Sequence, residues 1–136
     1  MLRTASTAAD WPQSPRWFAE YFPRYMAAHS KPGTRWLHVV GTLCGASLVG
    51  TAVMRRRPAY AAAGPLVLFT LAWIGHFGVE RNKPAGFQNP IRAIPGDLTL
   101  TALMLAGQQR RLDRLNSNGL RNQPDRSWQS VPVIRI

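Results

Sequence analysis

Two long stretches without a charged residue most constrain how this chain can fold. They run from Trp36 to Met54 and from Ala59 to Val79. Each is about 20 residues long, which is enough for an α-helix to cross a hydrocarbon core of about 30 Å. A third apolar run, Leu98 to Gly107, is shorter and more typical of a buried or partly inserted helix. The sequence therefore predicts an all-α fold, a small helical membrane bundle.

The segment before the first long run predicts an amphipathic helix. Ser14-Pro15 is a good helix start, and apolar residues then recur in pairs four apart. These residues are Trp17, Phe18, Tyr21, Phe22, Tyr25 and Met26. Such a helix lies either at the membrane interface or against the rest of the bundle. The predicted order is this N-terminal helix, two long apolar helices, and a shorter third from about Pro95 to Arg111.

The two ends of the chain are polar and differ from the middle. Residues 1–13 are rich in Ala, Thr and Ser and are predicted to form a flexible N-terminus. Residues 14–112 form the helical membrane domain, in which residues 81–95 are a polar loop. Residues 113–136 contain little apolar surface and are predicted to be a polar, mostly disordered tail.

The net charge of +11 is concentrated at the ends of the apolar runs. The basic residues there are Arg24, Lys31 and Arg35, then Arg55, Arg56 and Arg57, then Arg81 and Lys83, and finally Arg110, Arg111 and Arg114. This placement suits contact with lipid headgroups. No nucleic-acid-binding signature accompanies it, so we expect no nucleic-acid partner. The expected location is an integral membrane one, the inner membrane of a bacterium or the endoplasmic reticulum of a eukaryote.

The three histidines of the chain, His29, His38 and His76, all lie in or near the apolar segments. An ionisable group at membrane depth is costly and usually functional. Three neutral imidazoles favour Fe(II), Zn(II) or a similar ion over magnesium or calcium. Gly41 and Gly45 form a small face that would let the helices approach closely. We therefore predict one metal site formed by the three histidines, with iron and zinc both open.

Glu80 and Asp97 are the only acidic residues between residues 21 and 112. Glu80 lies four residues after His76, so the two would share one face of an α-helix. Either acid could bind the metal or orient a ligand, and we expect Glu80 to orient His76 or a neighbouring ligand. Asp97 in a first helical turn is also explained by the helix dipole. Taken singly, His76 and Glu80 also fit a polar pair that holds helices together. His29 fits a histidine at a helix C-terminus, and His38 fits a buried histidine bonded to a backbone carbonyl.

Three local patterns resemble those of a known family. The first consists of Phe22-Pro23-Arg24-Tyr25, His29-Ser30-Lys31-Pro32 and Arg35-Trp36-Leu37-His38-Val39-Val40-Gly41-Thr42. The second contains Gly75-His76, Glu80 and Pro84-Ala85, and the third runs from Pro90 to Asp97. Over about residues 17–107 the chain resembles the Mpo-type 2-hydroxy-fatty-acid dioxygenase family, in its short branch.

The resemblance implies a helical membrane protein that uses Fe(II) and O2 to shorten a 2-hydroxy fatty acid by one carbon. Fungal members of the family act in the endoplasmic reticulum, in phytosphingosine breakdown. The family's iron-binding histidines would correspond to His29, His38 and His76. In such an enzyme the basic residues Arg35, Arg81 or Lys83 could pair with the substrate carboxylate. The alternative is a non-enzymatic integral membrane protein whose His, Glu and Asp residues form a structural polar network.

Overall fold

The computed structural model describes residues 15–121 and is largely helical over that range. The helices are α1 (Arg16–Ala27), α2 (Pro32–Arg55), α3 (Pro58–Trp73), α4 (Pro90–Leu105) and α5 (Gln109–Arg121). A π-helical segment, Ile74–Glu80, continues α3, and a 3₁₀ turn, Ala85–Phe87, precedes α4. Within the described residues there is no β-strand, so the all-α prediction is confirmed. The predicted flexible N-terminus, residues 1–13, lies outside this range.

Prolines set where three of the helices begin. Pro32, Pro58 and Pro90 each lie in the first turn of their helix. The N–H that proline lacks would have no intrahelical partner at that position, and the proline ring already holds the helical φ angle. The predicted cap at Ser14 lies outside the described residues, and α1 begins at Arg16.

The fourth helix begins earlier than the sequence predicts. The Asn89 side chain accepts a hydrogen bond of 3.1 Å from the Arg92 N–H and so caps the helix at its start. The predicted loop over residues 81–95 is therefore wrong from Pro90 onwards. Pro95 lies inside α4 rather than at its beginning. The cap at Asn89 and the proline after it stabilise a helix start at Pro90. This stabilisation exceeds the cost of the one backbone hydrogen bond that Pro95 cannot donate inside the helix.

The two long helices cross at a pair of glycines. A Cβ atom on Gly64 would lie 2.7 Å from the Gly45 carbonyl oxygen, and one on Gly45 would lie 2.9 Å from the Gly64 oxygen. A Cβ on Gly41 would lie 3.3 Å from the backbone of Leu68. The backbones of α2 and α3 therefore touch along this face, and the predicted role of Gly41 and Gly45 is confirmed.

Both long helices leave most of their apolar surface uncovered. The α2 helix, and α3 with its π-helical continuation, are each long and apolar enough to span a membrane. Only 28% and 22% of their most apolar windows are buried inside the protein. The core helix of a soluble protein would be mostly buried, whereas these two helices present their side chains outward. Large exposed residues include Val53, Met54, Leu66, Phe69 and Ile74.

Most of the apolar stripe of α1 is buried in the main apolar core, whereas Trp17 at its start is exposed. Phe18, Phe22, Tyr25 and Met26 all lie in this core. The α4 and α5 residues that join them are Leu100, Leu103, Met104, Leu112 and Leu115. Of the two predicted positions for the amphipathic helix, packing against the bundle is therefore the one observed.

The helix α5 occupies residues that the sequence assigns to a disordered tail. That prediction is wrong for residues 113–121, and residues 122–136 lie outside the described range. Leu112, Leu115 and Gly119 recur at helical spacing on one face. The two leucines are buried on α1 and α4, so a narrow apolar stripe is enough to hold a helix whose other faces are polar.

Backbone contacts fix α5 against α1. The Asn116 Nδ2 donates to the Met26 carbonyl oxygen at 2.6 Å, in the last turn of α1, and this oxygen also accepts from the His29 N–H. A Cβ on Gly119 would overlap the carbonyl group of Pro23. Glycine at this position therefore allows the two helices to touch.

The glycine crossing yields a testable prediction about stability. Replacing Gly64 with Ala forces apart two backbones, and overpacking of this kind typically costs about 1–3 kcal/mol. Gly50→Ala is the matched control, because Gly50 also lies in a long helix but has open space around it. Thermal unfolding in detergent should show a lower midpoint for Gly64→Ala. The control midpoint should be unchanged or raised, since Ala favours a helix by about 0.5–1 kcal/mol. Equal midpoints for the two variants would contradict the close crossing.

Candidate metal centre

The three histidines converge on one point although they belong to three different segments. His29 lies in the link between α1 and α2, His38 in α2, and His76 in the π-helical segment. The His38 Nε2 lies 3.2 Å from the His29 Nε2 and 3.4 Å from the His76 Nε2. All three ligand nitrogens lie within 4.8 Å of one another, and all three residues are buried. The predicted convergence is confirmed.

The Nε2 of each imidazole faces the centre of the cluster, and its Nδ1 makes a hydrogen bond on the opposite side of the ring. The Nδ1 of His29 lies 2.6 Å from the Tyr25 carbonyl oxygen, and the Nδ1 of His38 lies 2.6 Å from the Asp97 Oδ1. The Nδ1 of His76 lies 2.8 Å from the Asn82 Oδ1. A carbonyl or carboxylate oxygen can only accept, so the Nδ1 atoms of His29 and His38 carry the proton and donate it.

The Asn82 side chain fixes the third tautomer. Its Nδ2 donates to the Ala28 carbonyl oxygen at 2.9 Å, which leaves its Oδ1 as the atom that faces His76. The His76 Nδ1 must therefore donate as well. Asn82 thereby ties the end of the π-helical segment to the end of α1.

This proton arrangement matches the needs of a metal ion. With every Nδ1 protonated, three Nε2 lone pairs face a common centre and have no proton to share among them. Such lone pairs repel one another unless a cation lies between them, and imidazoles with hydrogen-bonded outer nitrogens are the usual ligands of zinc and iron. The three histidines could therefore hold one metal ion.

Burial keeps His29 in the neutral form that a metal requires. Full burial lowers the pKa of His29 well below its usual value, and the neighbouring imidazoles of His38 and His76 lower it further. The hydrogen bond to the Tyr25 carbonyl opposes this shift without reversing it. Protons therefore compete weakly with a metal ion for the His29 Nε2.

Asp97 lies beside the histidines and positions one of them. Besides His38, its carboxylate accepts hydrogen bonds from the Thr42 hydroxyl, on Oδ2, and from the Tyr25 hydroxyl, on Oδ1 at 3.4 Å. Because α4 begins at Pro90, Asp97 is not in a first helical turn. The helix-dipole explanation is therefore wrong, and orientation of His38 accounts for the residue.

Glu80 does not contact the histidines as the sequence predicts. Its Oε2 accepts from the Ser30 hydroxyl and its Oε1 from the Lys31 N–H, both at 2.6 Å. The rule that residues four apart share a face holds for an α-helix, whereas Ile74–Glu80 is a π-helix with a wider turn. The expected orientation of His76 by Glu80 is therefore wrong, and Asn82 fills that role. The other expected role of Glu80, orientation of a neighbouring ligand, is not observed either, because its two oxygens accept from Ser30 and Lys31.

The basic residues proposed for a substrate carboxylate also lie elsewhere. Arg35 is buried, and its three nitrogens donate to the carbonyl oxygens of His29 and Ser30 and to the Asp113 carboxylate. Arg35 therefore holds the His29 link against α2 and α5. Arg81 and Lys83 are exposed and do not line the cavity beside the histidines.

A large apolar cavity opens next to the histidines. It has a volume of about 940 Å³ and lies between α2, α3, α4 and the 3₁₀ turn. His38, His76 and Asp97 form part of its wall. The rest is mainly apolar, and includes Leu68, Phe69, Trp73, Phe87, Ile94 and Leu98. A long apolar molecule in this cavity would have its polar end beside His38 and His76.

Comparison with known proteins agrees with this geometry. The model of a family described as 2-hydroxy-palmitic acid dioxygenase Mpo1-like matches residues 16–109. The chain belongs to the Mpo1-like family. The match covers α1 to α4 and all three histidines, and it ends where α5 begins. No curated protein and no solved structure gave a significant match.

Sequence reasoning missed three residues of the site in this Mpo1-like protein. Tyr25 lies four residues before His29, a spacing that could have indicated the contact with its carbonyl. Thr42 likewise follows His38 by four residues on the same face of α2. Asn82 gave no such signal, because its position depends on the π-helical turn before it.

Asn82 and Glu80, two hydrogen-bond acceptors near the end of the π-helical segment, allow a test of the site. Asn82→Ala removes the acceptor of the His76 Nδ1, and loss of such a partner typically weakens metal binding by about 10- to 100-fold. Glu80→Gln should leave metal affinity close to wild type, because Glu80 bonds to Ser30 and Lys31 instead. Competition with a chromophoric chelator would measure both affinities. A larger loss for Glu80→Gln than for Asn82→Ala would contradict the assignment.

Proposed function

We propose that this protein is an integral membrane, Fe(II)-dependent dioxygenase that shortens long-chain 2-hydroxy fatty acids by one carbon. The observation that carries the proposal is the convergence of three Nε2 atoms beside an apolar cavity, two of whose wall residues, His38 and His76, belong to the cluster. Membership of the Mpo1-like family supports the substrate class and the use of O2. A structural polar network between helices would have no need of a cavity beside it.

The uncovered faces of the two long helices support a place in the membrane. Their apolar residues face outward, and Arg55, Arg56 and Arg57 form a basic cluster where α2 passes into α3. Water would be a poor solvent for this surface, since exposed apolar patches of such extent usually mark a membrane or a partner. Lipid chains would cover the helices, and headgroups would meet the arginines.

The position of the histidines along the helices suits a fatty-acid substrate. His38 lies six residues after Pro32, and at 1.5 Å per residue this places it about 9 Å from the start of α2. His76 lies near the opposite end of its own span, which runs the other way, so the two residues share one side of the bundle. The site would then lie near the headgroups, with the cavity leading towards the bilayer interior.

Different residues around the cavity would bind the metal, orient its ligands and bind the acyl chain. A bound Fe(II) ion would supply the site at which O2 and the carboxylate and hydroxyl of a 2-hydroxy acid meet. The three histidines hold that place, and Asp97, Asn82 and the Tyr25 carbonyl fix their orientation. The apolar lining receives the acyl chain and excludes water from the polar end.

The direct test uses membranes that contain the protein. With Fe(II) and O2 they should convert 2-hydroxypalmitic acid to the acid one carbon shorter, measured by mass spectrometry of extracted fatty acids. His76→Ala should abolish the conversion, because the site loses a ligand nitrogen. Asp97→Asn should lower the rate by about 10- to 100-fold without abolishing it, because Asp97 acts through His38.

An exposed residue provides the matched control for these variants. Glu20→Gln alters an exposed acid on α1 and should leave the rate unchanged. A wild-type protein that contains no metal, or a His76→Ala variant that turns over at the full rate, would contradict the proposal. Either result would favour the non-enzymatic polar network.

A further inference from the structure

Tyr25 has a placement that its hydrogen bonds alone do not explain. Its ring stacks on His29, with 4.2 Å between ring centroids and 24° between planes. On α4, a Cβ on Gly96 would lie 3.1–3.3 Å from the Tyr25 ring, so that glycine leaves room for the ring to lie against the helix backbone. The ring is held by α4 and by His29, and the residue lines the cavity beside the histidines.

The Tyr25 hydroxyl is the least committed polar group in the cavity wall. The Nδ1 atoms of His38 and His76 donate to Asp97 and Asn82, their Nε2 atoms face the metal site, and the Thr42 hydroxyl donates to Asp97. The Tyr25 hydroxyl reaches Asp97 at 3.4 Å, whereas a good O–H···O hydrogen bond measures about 2.7–2.8 Å. Its proton is therefore available to a better acceptor in the cavity.

A carboxylate that enters this cavity lacks a cationic side chain to meet it. Within residues 15–121, neither Lys nor Arg lines the cavity, and Arg35 donates to protein oxygens. An ionised carboxylate is strongly destabilised in an apolar environment unless it receives hydrogen bonds or meets a cation. A bound metal ion would contact the hydroxyl and one carboxylate oxygen of a 2-hydroxy acid. The second carboxylate oxygen would then need a hydrogen-bond donor from the protein.

We infer that the Tyr25 hydroxyl donates a hydrogen bond to the carboxylate of the bound 2-hydroxy acid. This inference rests on the proposed function and adds a substrate-binding residue to it. Tyr25 thereby takes the role that the sequence assigned to Arg35, Arg81 or Lys83. Because the donor is neutral, it binds the carboxylate without adding a further charged side chain to the wall of the cavity.

The experiment compares Tyr25→Phe with a matched variant on the same helix. Tyr25→Phe removes only the hydroxyl and keeps the ring between His29 and Gly96. Tyr21→Phe makes the same change one turn earlier, where the hydroxyl has no hydrogen-bond partner within residues 15–121 and Tyr21 does not line the cavity. Fe(II)-loaded proteins in detergent under argon are titrated with 2-hydroxypalmitic acid and with 1,2-hexadecanediol, which lacks the carboxylate. Tryptophan fluorescence follows binding, since Trp73 lines the cavity.

The inference predicts a specific pattern. Tyr25→Phe should bind the acid about 10-fold or more weakly, as expected for loss of a hydrogen bond to a charged group. It should bind the diol like wild type and retain wild-type metal content. Tyr21→Phe should match wild type with both ligands.

Other patterns overturn the inference. Unchanged acid binding by Tyr25→Phe would exclude the contact. Equal weakening for acid and diol, or loss of metal, would show that Tyr25 acts only by supporting Asp97 and His29. A wild-type protein that holds metal but binds no acid would overturn the proposed function together with the inference. This outcome is distinguishable from the others, because in them the wild-type protein binds the acid.

Discussion

The hydrogen bonds made by the three Nδ1 atoms are the interaction on which the rest of the structure depends. Each bond leads to a different place: His29 to the body of α1, His38 to α4, and His76 to the residues after the π-helical segment. They determine which nitrogen of each ring faces inward. The bond from His38 to Asp97 also links α2 to α4, two of the helices that form the cavity, so that it contributes both to the geometry of the site and to the packing of the bundle.

This constraint explains why polar residues occur in an otherwise apolar fold. A buried Asp97 without donors would be costly, but it receives hydrogen bonds from His38, Thr42 and Tyr25. Arg35 is buried at the cost of desolvating a guanidinium group, and it satisfies the carbonyl oxygens of His29 and Ser30. The Asp113 carboxylate with which Arg35 forms an ion pair is exposed to solvent. This ion pair should therefore contribute less than about 1 kcal/mol to the free energy of unfolding. The carbonyl contacts are therefore the more important role of Arg35.

The cavity connects this polar centre with the proposed membrane environment. One wall is formed by α2 and α3, which cross at Gly45 and Gly64, and the opposite wall by α4. The small residues at the crossing bring two backbones together. The polar end of the cavity, at His38, His76 and Asp97, differs from its mainly apolar lining. A substrate that is itself amphipathic, with a polar headgroup and a long chain, matches this division.

The sequence predicted the features that depend on composition and on α-helical period. The two apolar runs became the two long helices, and the rarity of histidine identified the three residues that converge. Prediction from the sequence failed where the local backbone geometry departs from the α-helical period. The π-helical turn moves Glu80 away from His76 and brings in Asn82, and no pattern of apolar residues announces such a turn.

The fifth helix and the role of Arg35 were missed for a related reason. The apolar stripe of α5 is narrow, and the helix is held by its contacts with α1 rather than by its own composition. Arg35 lies next to a membrane-length run, where a basic residue usually meets headgroups, yet tertiary contacts turn it inward. Pairings between distant segments decided both cases, and a single sequence does not display them.

X-ray absorption spectroscopy of the iron-loaded protein tests the central claim most directly, because it counts the imidazoles bound to the metal. We expect three imidazole ligands at about 2 Å from a single ion, with one ion per chain. Each of His29→Ala, His38→Ala and His76→Ala should reduce the imidazole count or prevent metal binding. An ion bound without imidazole, or a spectrum unchanged in all three variants, would contradict the account.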